Sequence, residues 1–197
     1  MKNVITNTKK GILAVALLAT VSGFAGEAKI LVKKDSKKTA LVLNHVKKGN
    51  QISIKDTNGL VLYTELVEIT GIYKKGFDLN QLPDGDYFFE VEKDLEINTL
   101  PFTVTANEVS INKENEETLF KPFTRQEKDL VYVTKFSPNN ETIQVSVYAN
   151  HEDDFQLVHS EKIEDAQIME RIYKLEKGNY KIVINSNNKE YTTFINN

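Results

Sequence analysis

From Lys29 onward the chain is a succession of short apolar runs separated by polar turns. Residues 30–32, 40–43, 52–54, 60–66, 77–79, 87–91 and 102–104 follow one another at a spacing of roughly 10 residues. Most of these runs alternate apolar with polar positions, or are rich in β-branched and aromatic residues. That is the pattern of strands with one buried face. Asp56-Thr57-Asn58-Gly59 and Pro83-Asp84-Gly85 read as turns, since Asn and Gly tolerate positive φ and Pro presets the entry angle.

One stretch occurs twice. Leu82-Pro-Asp-Gly85-Asp-Tyr87-Phe-Phe89-Glu-Val91 returns 93 residues later as Leu175-Glu-Lys-Gly178-Asn-Tyr180-Lys-Ile182-Val-Ile184. Upstream, residues 117–133 lie over 27–43 at a spacing of 90, and Val145 and Val147 match Ile52 and Ile54 at 93, which implies a small insertion near Asn139-Asn140. A period this long fits two tandem sandwiches rather than solenoid units. The segment 112–117, Asn-Lys-Glu-Asn-Glu-Glu, has no apolar residue and reads as the boundary between copies. Residues 163–175 carry apolar positions at helical spacing; laid over the first copy, they read as a strand instead.

The organisation expected is a signal peptide over 1–25, a β-sandwich repeat over 27–111, a linker over 112–117 and a second repeat over 118–197. The leader reading rests on Lys2, Lys9 and Lys10, the uncharged apolar run 11–21, and the small residues Gly23 and Ala25 at a cleavage position. That run is shorter than a membrane span requires. The mature chain is therefore expected to be exported to the periplasm, cell surface or medium, with no membrane span.

Composition narrows the chemistry. The formal charge is −3, and mildly acidic character argues against nucleic acid as a partner. With no cysteine there are no disulfides, thiolate metal sites or cysteine nucleophiles. Each domain is then expected to be held by its hydrophobic core alone.

The run Ile52-Ser-Ile-Lys-Asp-Thr-Asn-Gly59, followed by Asp78-Leu79-Asn-Gln-Leu82-Pro-Asp-Gly85-Asp-Tyr87-Phe-Phe-Glu-Val91, resembles the C-terminal sorting domains of type IX secretion cargo in Bacteroidetes. The resemblance covers residues 50–105 and, more faintly, 141–195. It implies a compact seven-stranded immunoglobulin-like sandwich. It also implies, for the C-terminal copy, a sorting role, although the clearer copy is the internal one.

Candidate sites are few. His151, Glu152, Asp153 and Asp154 bring an imidazole and three carboxyl groups together, with His159 nearby; His45 is the third histidine. Such groups suit zinc or calcium, but the spacing matches no ligand template, and a solvated hairpin tip accounts for the same residues. Asp84 with Asp86, and Asp94 with Glu96, are paired carboxylates; glycosidase chemistry needs two that face one another across a cleft, whereas Asp84 and Asp86 flank a turn glycine, where Asp is favoured for its local hydrogen bonding. Seven lysines between Lys29 and Lys48 suit an anionic surface or the protection of edge strands. Tyr63, Tyr73, Tyr132, Tyr148, Tyr173 and Tyr191 suit a carbohydrate platform or a sandwich rim. The expectation is an all-β protein of two tandem immunoglobulin-like antiparallel sandwiches, non-catalytic and without cofactor, binding an unknown protein or surface glycan. The alternative is a type IX secretion client sorted by its C-terminal domain.

Overall fold

The computed structural model describes residues 31–35, 38–152 and 154–197; the expected signal peptide lies outside them. The described chain is all-β. It divides into two compact units, 31–119 and Phe120–Asn197, just beyond the polar stretch 112–117.

The first unit contains β1 (Leu31–Asp35), β2 (Lys38–Val46), β3 (Gln51–Asp56), β4 (Val61–Leu66), β5 (Gly71–Phe77), β6 (Gly85–Glu92), β7 (Glu96–Thr105), β8 (Glu108–Ile111) and all but the last residue of β9 (Glu117–Phe120). Strands β1-β2-β5 form one antiparallel sheet and β4-β3-β6-β7-β8 another, with β9 paired to β7. Leu41, Leu43, Val46 and Phe77 from the small sheet meet Ile52, Ile54, Phe89, Val91, Leu100 and Phe102 from the large one in a single core. The two sheets therefore pack face to face, sandwich-like, as half-buried alternating strands require.

The second unit repeats the first seven strands: β10 (Phe123–Glu127), β11 (Leu130–Phe136), β12 (Ile143–His151), β13 (Asp154–Ile163), β14 (Ile168–Lys174), β15 (Asn179–Ser186) and β16 (Lys189–Asn196). Its sheets are β10-β11-β14 and β13-β12-β15-β16. Val131, Val133, Met169 and Tyr173 face Val145, Val147, Ile182 and Ile184 across its core.

The repeat extends to register. Ile52 pairs with Val91 and Ile54 with Phe89; 93 residues on, Val145 pairs with Ile184 and Val147 with Ile182. Even the irregularity of the edge strand recurs, between Ile54 and Lys55 against β4 and between Val147 and Tyr148 against β13. Residues 168–174 are strand, so the repeat outweighs their helical spacing.

The repeated turn has a mechanical purpose. Tyr87, the third residue of β6, donates its hydroxyl to Pro83 O at 2.9 Å and stacks on Phe102. This bond ties the strand to the turn that feeds it. Upstream, Asp56 Oδ1 accepts from the N–H groups of Asn58 and Leu60, while Gly59 takes the left-handed conformation at φ +84°.

Candidate functional site: a carboxylate cluster present in both units

In each unit the fourth strand is an edge of the larger sheet and the fifth an edge of the smaller one. The chain thus crosses from one sheet to the other along an open side of the sandwich. In the first unit, alternation turns Tyr63 and Glu65 of β4, and Tyr73 and Lys75 of β5, partly inward. The Glu65 carboxylate accepts from the hydroxyls of Tyr63 and Tyr73 and from Lys75 Nζ, and Lys75 also donates to the Tyr63 hydroxyl. The Tyr63 ring meets Phe77 edge-on, centroids 5.3 Å apart, and Phe77 meets Phe89 at 5.6 Å. The polar cluster is thereby seated on the core.

The second unit builds the same object from different residues. Glu161 of β13 accepts from Arg171 Nε and from the Tyr173 hydroxyl, each at 2.7 Å, with His159 Nε2 at 3.4 Å. Register shows the correspondence. Glu65 stands opposite Ile52 as Glu161 stands opposite Val145, and Tyr63 opposite Ile54 as His159 opposite Val147. On the fifth strand, Tyr73 and Arg171 share one place, opposite Leu43 and Val133; Lys75 and Tyr173 share the next, opposite Leu41 and Val131. Phenol and cation have exchanged positions while the carboxylate has kept its place.

The electrostatics agree in both copies. Burial pushes the Glu65 carboxyl up, but the donors from Lys75, Tyr63 and Tyr73 outweigh it and hold it below the usual range. Glu161 is likewise raised by burial and lowered further by Arg171, Tyr173 and His159. Burial and the adjoining carboxylate push both Tyr73 and Tyr173 well above the ordinary phenol range. A carboxylate kept ionised and saturated with donors holds two sheet edges together; proton transfer at neutral pH calls for the opposite shift.

The residues singled out in the sequence are dispersed. His151 and Asp154 are exposed cross-strand partners at the tip of the β12–β13 hairpin, and Glu152 takes the turn's left-handed position at φ +48°. Asp153 lies outside the described residues. Asp154 Oδ1 accepts from the N–H of Phe155 at 2.9 Å. Among the described residues, no three His, Asp or Glu side chains come together as a metal site would need. Asp84 accepts from Ala106 N and Asp86 from Thr103 Oγ1, so each carboxylate secures its own strand end. Asp94 pairs with Lys47, and Glu96 with Lys93. Lys33 and Lys34 lie on β1, an edge strand.

The tyrosines form no single platform. Tyr63, Tyr73 and Tyr173 belong to the carboxylate clusters, Tyr132 lies under Arg125 at 4.7 Å, Tyr148 under Lys181 at 4.7 Å, and Tyr191 packs against the second core. His159, noted only as a neighbour of His151, is drawn into the Glu161 cluster instead.

Compared with known proteins, the chain matches no family model and no curated protein. Among the solved structures it matches is a chain from "Structural basis of neurohormone perception by the receptor tyrosine kinase Torso", at 6% identity and TM-score 0.25 over 86% of this chain and 72% of that one. A likeness at that level carries no argument about fold or function. Among the described residues, no helix is long and apolar enough to cross a membrane.

Proposed function

We propose that the protein is an exported, non-catalytic binding or structural module made of two tandem immunoglobulin-like sandwiches. The strand order of each unit, first-second-fifth in one sheet and fourth-third-sixth-seventh in the other, supports the immunoglobulin-like reading. So does the Tyr87 hydroxyl bonded back to Pro83, which has the form of the tyrosine corner of such folds. The observation that carries the functional half is the pair of clusters around Glu65 and Glu161. In each copy a half-buried carboxylate is held ionised by donors from the neighbouring sheet edge and ties the two sheets together. On this reading function lies on the loops and strand edges of each sandwich, facing a protein or a surface glycan.

The test is the intact mass of the native protein recovered separately from periplasm, envelope and medium. The module reading expects a product that starts near Gly26 and retains Asn197. A product lacking the second unit would favour type IX sorting by a removable C-terminal domain. Turnover of any substrate in a broad hydrolase screen of the purified chain would overturn the non-catalytic reading.

A further inference from the structure

The edge strand β4 is written as its own partner. Centred on Thr64, residues 61–67 read Val-Leu-Tyr-Thr-Glu-Leu-Val. Reversed, the order is the same except that Tyr63 and Glu65 change places, and those two side chains already form a hydrogen-bonding pair within this chain. Antiparallel strands pair residue against residue in reversed order. Two copies of β4 meeting at Thr64 therefore set Leu62 against Leu66, Thr64 against Thr64, and the Tyr63 phenol against the Glu65 carboxylate.

The strand is placed to do this. Among the described residues β4 pairs only with β3, and no described strand lies along its other side. Val67 donates its N–H to Asn50 O, turning its backbone groups toward the β3 side. By alternation Leu66 and Thr64 turn theirs outward, and a dyad at Thr64 makes that residue a hydrogen-bonded pair with itself. The outward side chains are apolar or neutral: Val61, Leu62 and Leu66 are 49%, 42% and 60% exposed, and Thr64 is exposed between the two leucines. Residues 60–67 contain no lysine and no proline, the residues that commonly protect an edge from pairing. The irregularity at Leu62 ends the regular stretch, so the shared ladder is short.

The corresponding edge of the second unit shows the contrast. There β13 reads Leu157-Val-His-Ser-Glu-Lys-Ile163, with His159, Ser160 and Glu161 in the places of Tyr63, Thr64 and Glu65. Lys162 stands where Leu66 stands in the first unit, both opposite a glutamine of the third strand. A self-pairing of β13 would set that lysine against Val158, desolvating a charge against an apolar side chain.

We infer that a second copy of this chain docks on β4, forming a two-fold dimer in which the large sheets of two first units become one continuous sheet through β4. The contact is isologous and uses up both open edges, so it closes at two copies. Its small area makes it a concentration-dependent association rather than an obligate one.

Sedimentation of the chain carrying both units, over a concentration series, is expected to show a monomer rising to a dimer and no further. Leu66→Lys, which copies the second unit, is expected to leave a folded monomer at every concentration, its fold checked by circular dichroism. Because the sequence has no cysteine, Thr64→Cys gives a chain with one thiol per copy, which a dyad at Thr64 brings against its mate at the roughly 5.5 Å Cα spacing of a hydrogen-bonded pair. Mild oxidation should convert that variant to a covalent dimer, and should leave Ser160→Cys, its counterpart on β13, uncoupled. A wild-type monomer throughout, a dimer that survives Leu66→Lys, or equal cross-linking of the two cysteine variants would each overturn the proposal, the last two by locating the contact elsewhere.

Discussion

Glu65 and Glu161 occupy the same place in two copies and are neutralised by different donors, which makes each a measurable contribution. Replacing Glu161 with Gln keeps the shape but weakens the charge-assisted bonds from Arg171 and Tyr173. A loss of about 1–2 kcal/mol from the second unit is expected in urea unfolding at neutral pH. The pH dependence has a definite sign. Both carboxyls are held below their ordinary value when folded, so their contribution is complete above the unfolded carboxylate pKa of about 4.3 and is lost as pH falls below it. The gap in urea midpoint between wild type and Glu161→Gln, or Glu65→Gln, should therefore narrow on going from neutral pH into that acid range. A gap that stayed constant or widened would mean the carboxylates are not the acid-sensitive element.

Residue patterning alone did not reveal these clusters, for a physical reason. Glu65, Lys75, Glu161 and Arg171 are charged residues at inward or edge positions of their strands, so they break the apolar-polar alternation that marks a buried face. The same effect hid the start of β5. Its first six residues, Gly-Ile-Tyr-Lys-Lys-Gly, show no clean alternation, because Ile72 faces solvent while Tyr73 and Lys75 turn toward the carboxylate. The apolar run read from the sequence, 77–79, meets that strand only at Phe77.

At the scale of elements, the two glycines of the repeated turn look equivalent in sequence and differ in structure. Gly178 has φ +151°, in the region that L side chains avoid, whereas Gly85 does not depart in that way. A methyl group at Gly85 would meet the Tyr87 hydroxyl at 3.4 Å and its ring at 3.5 Å, and one at Gly178 would meet the Tyr180 ring at 3.7 Å; all are ordinary contacts. The difference therefore lies in the backbone. Gly178→Ala is expected to cost more than about 1 kcal/mol, and Gly85→Ala less than about 0.5 kcal/mol, read from urea midpoints. The tyrosine that follows matters more in the first copy: Tyr87→Phe removes the bond to Pro83 O and should cost about 1 kcal/mol. The strand at 168–174 carries a related lesson. Its apolar spacing is equally compatible with a helix, and pairing with β11 across seven residues decides the matter.

At the scale of the whole molecule, the first core draws on residues between Leu41 and Ile111 and the second on residues between Val131 and Ile195. No core residue is shared. Phe89, fully buried in the first, should cost about 3–5 kcal/mol when cut to Ala, and Ile182 in the second about 2–5 kcal/mol. Each substitution is expected to move one unfolding transition toward lower temperature in calorimetry and so resolve the melt into two steps. A single transition that shifts as a whole in both variants would count against separate cores.

The sequence by itself determined the class of structure and its duplication. Alternating apolar runs, turn residues and the return of Leu-x-x-Gly-x-Tyr are local signals, legible without knowing which strands pair. It also held the palindrome of β4, although only the position of β4 at the edge of its sheet gives that symmetry a physical meaning. The tertiary structure decided what faces what: that Glu65 meets Tyr73 and Lys75, that Glu161 meets Arg171 and Tyr173, and that His159 joins one of these clusters. These partners sit on different strands at offsets that change along the chain, from 93 on the sixth strand to 96 on the fourth and 98 on the fifth. No single period in the sequence aligns them; the hydrogen-bond ladder of each sheet does.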